Sequence, residues 1–379
     1  MALTYQDAGV DVALGDQASR ILYEAAKQTW DNRQGRLGEV VVPFDDFSGL
    51  RAIDVSALPA GTLMNIGFDG IGTKVEIAER MNYHRSLAHD LFAMVCDDAV
   101  IRGAEPVLIG SILDVNQLAG RDGSHIPQLR ELAEGYVEAA NLAGVAVVNG
   151  ELAEMGGRVG GYGEFCYNWG AAVVWFARKD RWITGHNVAP GDAIVGLQET
   201  GFRSNGISLV RKSFAHAHGE EWHSVEWEGK PLGMWALEPS KIYTRALSAM
   251  TGGFASEEQV AIHAAAHVTG GGLPGKLGRA LKPSGHGAVL DSLFAPSSSM
   301  LYCQNCANIS DEEAYRTWHM GQGMVVITPE PEAVISLASQ FGIQAQRVGT
   351  VQDEPILRVT SQGTQQPGTV LEFPLRETG

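Results

Sequence analysis

Apolar positions follow two alternating patterns along the chain. They first recur at helical spacing between Ala18 and Ala26, which predicts an N-terminal helix that ends near Trp30. Further helices are predicted over 86–102, 127–142, 208–215, 241–250 and 332–340, and apolar runs predict strands over 62–67, 107–114, 145–148, 171–177, 193–197 and 324–328. Because strands alternate with helices, we expect an α/β fold.

The chain divides into two parts of similar size. Its 379 residues exceed what one average hydrophobic core supports. A polar turn over 178–191 contains Asn187, Pro190 and Gly191 and is the best linker candidate. We therefore predict an N-terminal domain over 1–178 and a C-terminal domain over 179–379, which ends in a hairpin or extended tail over 356–375.

Composition narrows the class of protein. Hydrophobic residues make up 45% and charged residues 19%, as in ordinary folded proteins. The formal net charge of -16 disfavours non-specific binding of nucleic acid. A local group of hydrogen-bond donors could still bind a small anion. The longest apolar run, 171–177, is far shorter than the roughly 20 residues that a membrane-spanning helix needs, so we expect no membrane association.

Cysteine usage points to a reducing compartment. The first 15 residues contain Asp7 and Asp11 and no apolar core, so we expect no secretory signal. Four cysteines in a chain of this length do not form a disulfide framework, and a cytoplasmic location is the simpler expectation. Cys303 and Cys306 form a single CxxC, which we interpret as ordinary rather than as a zinc or redox site.

Five carboxylates are candidates for a common site. Asp69 and Glu151 follow predicted strands, whereas Asp90, Asp97 and Asp98 lie on one predicted helix. At 100° per residue, Asp97 lies about 20° and Asp98 about 80° from Asp90 around the helix axis, so all three project from one side. Clustered carboxylates are stable chiefly around hard cations such as Mg²⁺ bound to nucleotide phosphates. The alternative is a solvated helix face with unrelated acids elsewhere.

The segment Asp69-Gly70-Ile71-Gly72-Thr73-Lys74 has the composition of a phosphate cradle. It combines a carboxylate, flexible backbone N–H donors at Gly70 and Gly72, the Thr73 hydroxyl and the Lys74 cation within six residues. It is not a P-loop, because Thr73 precedes the lysine instead of following it.

The second half contains two further candidate turns. Ser204-Asn205-Gly206 follows Arg203 and offers hydrogen-bond donors next to positive charge. The run Gly270-Gly271-Gly272 begins a segment that fits GxxxxGK, but Leu277 stands where that motif has Ser or Thr. We interpret it as a glycine turn with anion-binding amides, with a simple helix cap as the alternative.

Taken together, the sequence motifs of this chain are similar to those of one enzyme family. They are Tyr5-Gln6-Asp7-Ala8-Gly9-Val10-Asp11, Asp69 to Lys74, Asp97-Asp98 with Arg102-Gly103-Ala104-Glu105-Pro106, Gly150-Glu151 with Ala153-Glu154-Met155, Ser204-Asn205-Gly206 with Ser208 to Lys212, His267 to Gly272, and Tyr315-Arg316-Thr317 with Gly321-Gln322-Gly323-Met324. Over nearly its whole length the chain resembles the phosphoribosylformylglycinamidine cyclo-ligases, also called aminoimidazole ribonucleotide synthetases.

This resemblance implies a two-domain fold with mixed sheets, in which the N-terminal domain forms a β-barrel with that of a partner subunit in a homodimer. It also implies the reaction: ATP phosphorylates the formyl-amide oxygen of formylglycinamidine ribonucleotide, the substrate's own amine closes the ring, and phosphate leaves. Such chemistry needs Mg²⁺, a cation on the transferred phosphoryl group and close positioning.

The resemblance also assigns roles to residues. Asp69, Asp98 and Glu151 are predicted as metal and nucleotide ligands, with Asp97 as a supporting acid and Lys74 as the phosphate contact. The ribonucleotide is predicted to bind at Arg203, Ser204, Asn205, Gly270, Gly271 and Gly272. The catalytic set is predicted to be Lys74, Asp69 and Asp98, and the nucleotide site also includes Gly70, Gly72 and Thr73.

Some positions depart from the family pattern. The Gly-rich loop is reduced to Phe47-Ser48-Gly49, Arg203 stands where His usually precedes Ser-Asn-Gly, and His319 lies in a segment where the family usually has Phe-Asn. Two alternatives therefore stay open: another ATP-dependent member of the superfamily with a different small substrate, and a nucleotide-binding homologue without turnover.

Overall fold

The computed structural model describes residues 11–41, 51–121, 123–254 and 257–375. The predicted features at 5–10 and at Phe47-Ser48-Gly49 lie outside these ranges. The chain forms two compact units. Unit 1 contains the described residues up to Cys96 together with Pro106–Phe176, and unit 2 contains Asp97–Glu105 together with the described residues from Ala177 onward. No sequence pattern indicated that 97–105 belongs with the C-terminal unit.

Unit 1 is built around a four-stranded sheet. Its helices are α1 (Val12–Lys27), α2 (Lys74–Met81), α3 (Leu87–Val100, whose last four residues belong to unit 2) and α4 (Ile126–Ala143). Its strands are β1 (Val40–Val41), β2 (Ala52–Ile53), β3 (Thr62–Gly70), β4 (Glu105–Val115), β5 (Ala119–Gly120), β6 (Gly123–Ser124), β7 (Ala146–Glu154) and β8 (Tyr167–Arg178). The sheet order is β3-β8-β4-β7, and β4 runs parallel to β7. Two-stranded ribbons pair β1 with β2 and β5 with β6.

Helix α1 is fixed at both ends. The Asp11 carboxylate accepts a hydrogen bond from the backbone N–H of Leu14 at 3.1 Å, which caps the first turn. Small buried residues on α1 allow it to contact α4 and β7. Just after α1, the Trp30 indole Nε1 donates to the Val147 carbonyl at 2.7 Å, which ties the end of the helix to the edge strand β7.

Unit 2 contains a seven-stranded mixed sheet. Its helices are α5 (Ile207–His218), α6 (Leu232–Ala236), α7 (Thr244–Thr251), α8 (Gly272–Leu281), α9 (Ser298–Cys306), α10 (Asp311–Thr317) and α11 (Pro331–Gln340). Its strands are β9 (Ala193–Gln198), β10 (Glu226–Trp227), β11 (Lys230–Pro231), β12 (Ala264–His267), β13 (Gly287–Leu290), β14 (Gln322–Thr328), β15 (Ala345–Gln352), β16 (Ile356–Thr360) and β17 (Val370–Pro374). The sheet order is β12-β14-β9-β15-β13-β16-β17. Pairings in this sheet are antiparallel except for β13 with β16.

The core of unit 2 lies between this sheet and two helices. Every residue of β14 is buried, and β9 is buried up to its last residue. Side chains from β9, β12 and β14 form one hydrophobic cluster with residues of α7 and α11. Val100, at the end of α3, belongs to the same cluster, which explains why the segment from Asp97 joins unit 2.

Most predicted helices and strands are confirmed, but two strand ends differ in a way that affects the site. Strand β3 continues to Gly70 and β7 continues to Glu154, so Asp69 and Glu151 lie within strands rather than after them. The predicted C-terminal hairpin is confirmed as the antiparallel pair β16 and β17. Among the described residues, no helix combines the length and the apolar character needed to cross a bilayer.

Candidate active site

The predicted phosphate cradle joins the end of β3 to the start of α2. The Asp69 carboxylate accepts a hydrogen bond from the Gly70 N–H at 2.7 Å, and Ile71 N–H bonds to the Trp169 carbonyl at 3.0 Å. Gly72 has φ +66°, a conformation that favours glycine. Gly72 and Thr73 are exposed at the N-terminal end of α2.

Lys74 occupies a different place from the one predicted. Its ammonium donates to both carboxylate oxygens of Asp90 at 2.8 and 2.9 Å, and neither side chain has exposed surface. In this arrangement the Lys74 cation faces Asp90 rather than solvent, which disagrees with the predicted phosphate contact. Asp90 likewise departs from both sequence hypotheses, since it neither joins a carboxylate cluster nor lies on a solvated helix face.

Asp69 and Glu151 lie on opposite edge strands of the unit 1 sheet. Asp69 is on β3 and Glu151, which pairs in register with Ile112, is on β7, with β8 and β4 between them. With about 4.8 Å between neighbouring strands, β3 and β7 are about 14 Å apart. In the parts of the chain that the structure describes, no three His, Cys, Asp or Glu residues are grouped so as to hold a metal ion. The predicted convergence of carboxylates is therefore not present as a preformed cluster.

Asp97 is buried inside unit 2. One of its oxygens accepts hydrogen bonds from the Tyr243 N–H at 3.0 Å and from the Thr244 hydroxyl at 2.8 Å. Its other oxygen lies 3.7 Å from the Arg203 guanidinium. Asp97 thus joins the end of α3 to the start of α7, and its side chain has no exposed surface for the predicted contact with a nucleotide.

Asp98 is the accessible acid of the pair. Its side chain is 50% exposed, and its Oδ1 lies 2.6 Å from Nδ1 of His267, a residue with a completely buried side chain at the end of β12. One oxygen is therefore held by the protein core while the carboxylate still reaches solvent. The pair joins α3 to β12 within unit 2.

Arg203 lies on the far side of His267. Its Nη2 is 2.7 Å from His267 Nε2, and its Nη1 is 3.3 Å from the Glu199 carboxylate. The side chain is only 2% exposed, so the predicted role of Arg203 as a direct substrate contact is not supported by its position. Glu199 was not predicted, although it directly follows the buried strand β9 and stands four residues before a residue of opposite charge.

Burial shifts the ionisation of this network. Burial raises the pKa of Asp97 to about 7, although Arg203 and the two hydrogen bonds oppose the shift. Burial likewise raises the pKa of Glu199. Burial and the Arg203 charge lower the pKa of His267 to about 4, so its ring is neutral at physiological pH. Burial alone would raise the pKa of Asp98, but the hydrogen bond to His267 and the nearby cations outweigh it, and the net shift is downward.

The two predicted glycine and amide turns of unit 2 lie side by side. The Asn205 amide nitrogen is 3.4 Å from the place that a Cβ on Gly270 would occupy. Gly272 has φ +61°, and a Cβ there would lie 2.0 Å from the Tyr315 carbonyl oxygen, so only glycine fits. Ser204 Oγ and Asn205 Oδ1 are both shielded from solvent and have no hydrogen-bond partner among the described residues. Such orphaned acceptors are uncommon and indicate a place where a ligand can bind.

His319 supports the backbone. Its Nε2 lies 2.7 Å from the Gly201 carbonyl and its Nδ1 accepts from the Gly321 N–H at 3.0 Å, so the ring donates through Nε2 and accepts through Nδ1. The side chain is buried. At this position, where the family pattern has a different residue, the His319 ring holds the backbone at Gly201 and Gly321 through two hydrogen bonds. Both ring nitrogens are used in these bonds.

A cavity of about 360 Å³ in unit 1 was not predicted. It lies between α1, α4 and β7, and Glu151 is among its lining residues together with the aromatic rings of Tyr23, Trp30 and Trp169. The Arg51 guanidinium lies 5.1 Å from the Tyr23 ring centroid. Aromatic walls with a polar rim suit a planar group that also makes hydrogen bonds. Tyr23 and Trp30 are about 140 residues from Trp169 along the chain, so no local sequence pattern indicates this cavity.

A second cavity, of about 230 Å³, lies beside the network in unit 2. Its lining includes Asp98 and His267 together with the cations Arg102, Lys276 and Arg279. Lys276 is the lysine of the GxxxxGK segment, on the basic face of α8. Asp98 therefore lines this cavity together with positively charged groups, an environment compatible with anionic groups.

The two cysteines of the CxxC segment lie on α9. Cys303 is fully buried and Cys306 is half-buried, and both are free thiols. Burial raises the pKa of both thiols. Neither is therefore an activated nucleophile at neutral pH.

Comparison with known families and sequences gives a consistent result. Residues 52–172 match the N-terminal domain of AIR synthase related proteins, and residues 189–362 match the C-terminal domain. A phosphoribosylformylglycinamidine cyclo-ligase from Anaeromyxobacter sp. (strain Fw109-5) is 34% identical over 93% of this chain and 96% of its own length. One from Thermococcus kodakarensis is 31% identical over 95% of this chain and 99% of its own length.

Solved structures resemble the fold at much lower identity. E. coli HypE, a hydrogenase maturation protein, gives a TM-score of 0.61 at 13% identity and covers 95% of this chain and 96% of its own. Thiamine-monophosphate kinase from Stenotrophomonas maltophilia K279a gives 0.60 at 14% identity, with 92% and 97% coverage. PurL from T. maritima complexed with AMPPCP gives 0.52 at 16% identity, covering 95% of this chain and 50% of the PurL chain.

Proposed function

Because this chain belongs to the AIR synthase related family of phosphoribosylformylglycinamidine cyclo-ligases, we propose that it closes formylglycinamidine ribonucleotide into aminoimidazole ribonucleotide at the expense of ATP. The products are ADP and phosphate, and the reaction belongs to purine biosynthesis. The proposed location is the cytoplasm, because free cysteines suit a reducing compartment.

The reaction consists of two displacements. The formyl-amide oxygen forms a bond to the γ-phosphorus of ATP while the bond to the β-phosphate oxygen breaks and ADP leaves. The amidine nitrogen of the same substrate then attacks the activated carbon, the C–O bond breaks and phosphate leaves, and loss of a proton completes the aromatic ring. Neither step needs a covalent bond to the protein, so the protein contributes positioning and electrostatic stabilisation.

Asp98 carries the proposal. Its carboxylate is half exposed, is held through one oxygen by a buried histidine and has a lowered pKa, and it lines a cavity together with three cations. An ionised carboxylate held in this way is suited to bind a cation that is shared with phosphate groups.

The available donors fit Mg²⁺ bound to a nucleotide. Mg²⁺ prefers oxygen ligands and is usually held by one or two carboxylates together with substrate phosphates, so a preformed cluster of three is not required. In unit 2 we assign Asp98; in unit 1, Asp69 and Glu151 are separate candidates, because they lie on opposite edge strands of the sheet. When bound, Mg²⁺ neutralises charge on the phosphates of ATP. The exposed backbone at Gly72, at the N-terminal end of α2, is proposed to supply a further phosphate contact.

The ribonucleotide is assigned to the adjacent turns of unit 2. The orphaned oxygens of Ser204 and Asn205 are acceptors suited to hydroxyl or amino groups of a ribonucleotide. The Gly270 to Gly272 turn leads into the N-terminus of α8, where the helix dipole favours an anion. Arg203 supports these turns from inside the unit, and Lys74 supports the cradle of unit 1 through Asp90, so both act as positioning residues in the proposal.

A homodimer is part of the proposal. Met64, Ile66 and Phe68 alternate along β3 and therefore share one face of the unit 1 sheet, where Phe68 is 74% exposed. Ile112 of β4 is exposed as well. Apolar side chains at successive positions of an open sheet face favour an interface, and a second copy of the same sheet would cover this one. The barrel implied by the family resemblance would form in this way.

The test is a parallel measurement of ADP release and aminoimidazole formation by the purified chain with ATP and Mg²⁺. The proposal predicts that both products appear in equal amounts and only when formylglycinamidine ribonucleotide is present. ADP without aminoimidazole would indicate a different small substrate. Nucleotide binding without either product would indicate a homologue that has lost turnover.

A further inference from the structure

Arg203, His267 and Asp98 form a continuous hydrogen-bonded chain from the interior of unit 2 to a cavity. The distances are 2.7 Å from Arg203 Nη2 to His267 Nε2 and 2.6 Å from His267 Nδ1 to Asp98 Oδ1. We propose that Arg203 is a positioning residue that fixes one tautomer of His267 and thereby the orientation of the Asp98 carboxylate. The proposal rests on the assigned role of Asp98 as a ligand of the nucleotide-bound cation.

The chemistry of the groups determines the direction of each hydrogen bond. A guanidinium has N–H donors and no acceptor, so His267 Nε2 must accept from Arg203. The neutral imidazole then carries its hydrogen on Nδ1, which donates to Asp98 Oδ1. In the opposite tautomer two donors would face each other at Nε2 and two acceptors at Nδ1. Arg203 therefore selects the one tautomer that binds Asp98.

Arg203 is itself held in place by two buried acids. Its guanidinium lies 3.3 Å from Glu199 and 3.7 Å from Asp97. Glu199 in turn accepts hydrogen bonds from the N–H groups of Lys241 at 3.0 Å and Thr200 at 2.9 Å. Because the backbone around both acids is fixed, the guanidinium has little freedom to rotate. Its hydrogen bond to Nε2 therefore also fixes the orientation of the imidazole ring.

The consequence for Asp98 is specific. With Oδ1 bound to His267, the carboxylate is held in one rotamer although its side chain is half exposed. Residues that orient a metal ligand from behind typically change metal affinity by about 10- to 100-fold when they are replaced. Arg203 should therefore affect cation and nucleotide affinity without touching either ligand.

Two substitutions at position 267 separate the two hydrogen bonds. In His267→Asn the amide nitrogen takes the place of Nδ1 and can still donate to Asp98, whereas in His267→Gln the amide takes the place of Nε2 and only the contact with Arg203 remains. For Mg²⁺ with the non-hydrolysable analogue AMPPCP, measured by calorimetry, we expect His267→Gln and Arg203→Met to weaken binding about tenfold or more. His267→Asn should stay within about threefold of the parent chain.

A double substitution measures the energetic coupling between Arg203 and His267. In the His267→Asn background there is no imidazole tautomer to select, so Arg203→Lys should have much less effect on affinity than it has in the parent chain. Equal effects of Arg203→Lys in both backgrounds, or equal losses in His267→Asn and His267→Gln, would overturn the proposal. Melting temperatures of all variants identify any that lose affinity through unfolding.

The tautomer is read directly from ¹⁵N-histidine NMR of the full chain at pH 7.5, with the His267 signal assigned from its absence in His267→Asn. The expected result is the Nδ1–H form in the parent chain and a mixture, or the Nε2–H form, in Arg203→Lys. An Nε2–H form in the parent chain would refute the inference whatever the substrate proves to be. A parent chain that has the Nδ1–H form but makes no aminoimidazole would contradict the proposed function alone.

Discussion

Lys74 and Asp90 form an ion pair without exposed surface, with the ammonium 2.8 Å from the nearer carboxylate oxygen. Removing one partner of a buried pair leaves an uncompensated charge and typically costs about 3–5 kcal/mol. We therefore expect Lys74→Met to lower the free energy of unfolding of unit 1 by an amount in that range, measured by urea denaturation.

The matched control replaces both partners. Lys74→Met combined with Asp90→Leu leaves no buried charge and should recover most of the lost stability. Loss of ATP turnover in Lys74→Met with no change in stability would instead support the phosphate contact predicted from the sequence.

Asp69 tests the nucleotide site of unit 1. Asp69→Asn removes the negative charge and keeps the side-chain shape, so we expect ATP turnover to fall at least about 100-fold while the melting temperature stays close to that of the parent chain. Asp353→Asn, at an exposed position of unit 2, is the control and should leave turnover unchanged. Activity like that of the parent chain in Asp69→Asn would remove Asp69 from the metal site.

Apolar spacing carries local information and predicted α1, α3, α4, α5, α7 and α11, but it did not predict α2, α6, α9 or α10. Helix 127–142 was predicted within one residue at each end of α4. Strand ends were harder, since β7 continues through Asn149-Gly150-Glu151, residues that elsewhere mark turns. The continuation depends on pairing with β4, a contact between distant parts of the chain.

The sequence identified residues that belong to the candidate site, but it predicted their individual roles less well. Asp98 was predicted as a metal and nucleotide ligand and Asp97 as a supporting acid, but no sequence pattern showed that Asp97 turns inward toward Tyr243 and Thr244. Arg203 was taken for a substrate contact because it adjoins Ser204. Its inward direction depends on Glu199 and on His267, 64 residues away, and such packing leaves no local pattern.

The burial of His84 leads us to expect that the stability of the protein depends on pH. Burial, with a smaller contribution from nearby His125, lowers the pKa of His84 to about 4, and its Nδ1 lies 2.9 Å from the Tyr167 hydroxyl. The unfolded chain takes up a proton near pH 6.5, before the folded chain does, so stability is complete above that pH and is lost as the pH falls toward 4. The loss from this residue is about 3 kcal/mol.

Calorimetric unfolding between pH 7.5 and 4 checks this expectation. Replacement by a residue that does not titrate, as in His84→Phe, should reduce the dependence on pH, even though the variant is less stable at neutral pH because Tyr167 loses its partner. An unchanged pH dependence in His84→Phe would show that other groups are responsible.

The exposed face of β3 predicts association. Phe68→Glu places a charge in the middle of the apolar face, so we expect the molar mass measured by light scattering to change from that of a dimer to that of a monomer. Val370→Glu introduces the same charge at an exposed apolar position of β17 in unit 2 and should leave the molar mass unchanged. A monomeric parent chain, or a dimer that survives Phe68→Glu, would contradict this interface.

The most direct test of the proposed reaction follows one oxygen atom. Formylglycinamidine ribonucleotide carrying ¹⁸O in its formyl group is converted with unlabelled ATP and Mg²⁺, and the released phosphate is examined by mass spectrometry. Transfer of the phosphoryl group to the formyl-amide oxygen predicts one ¹⁸O atom in each phosphate released, together with one aminoimidazole ribonucleotide. Aminoimidazole formed with unlabelled phosphate would contradict activation at that oxygen, and unconverted substrate would contradict the proposed reaction altogether.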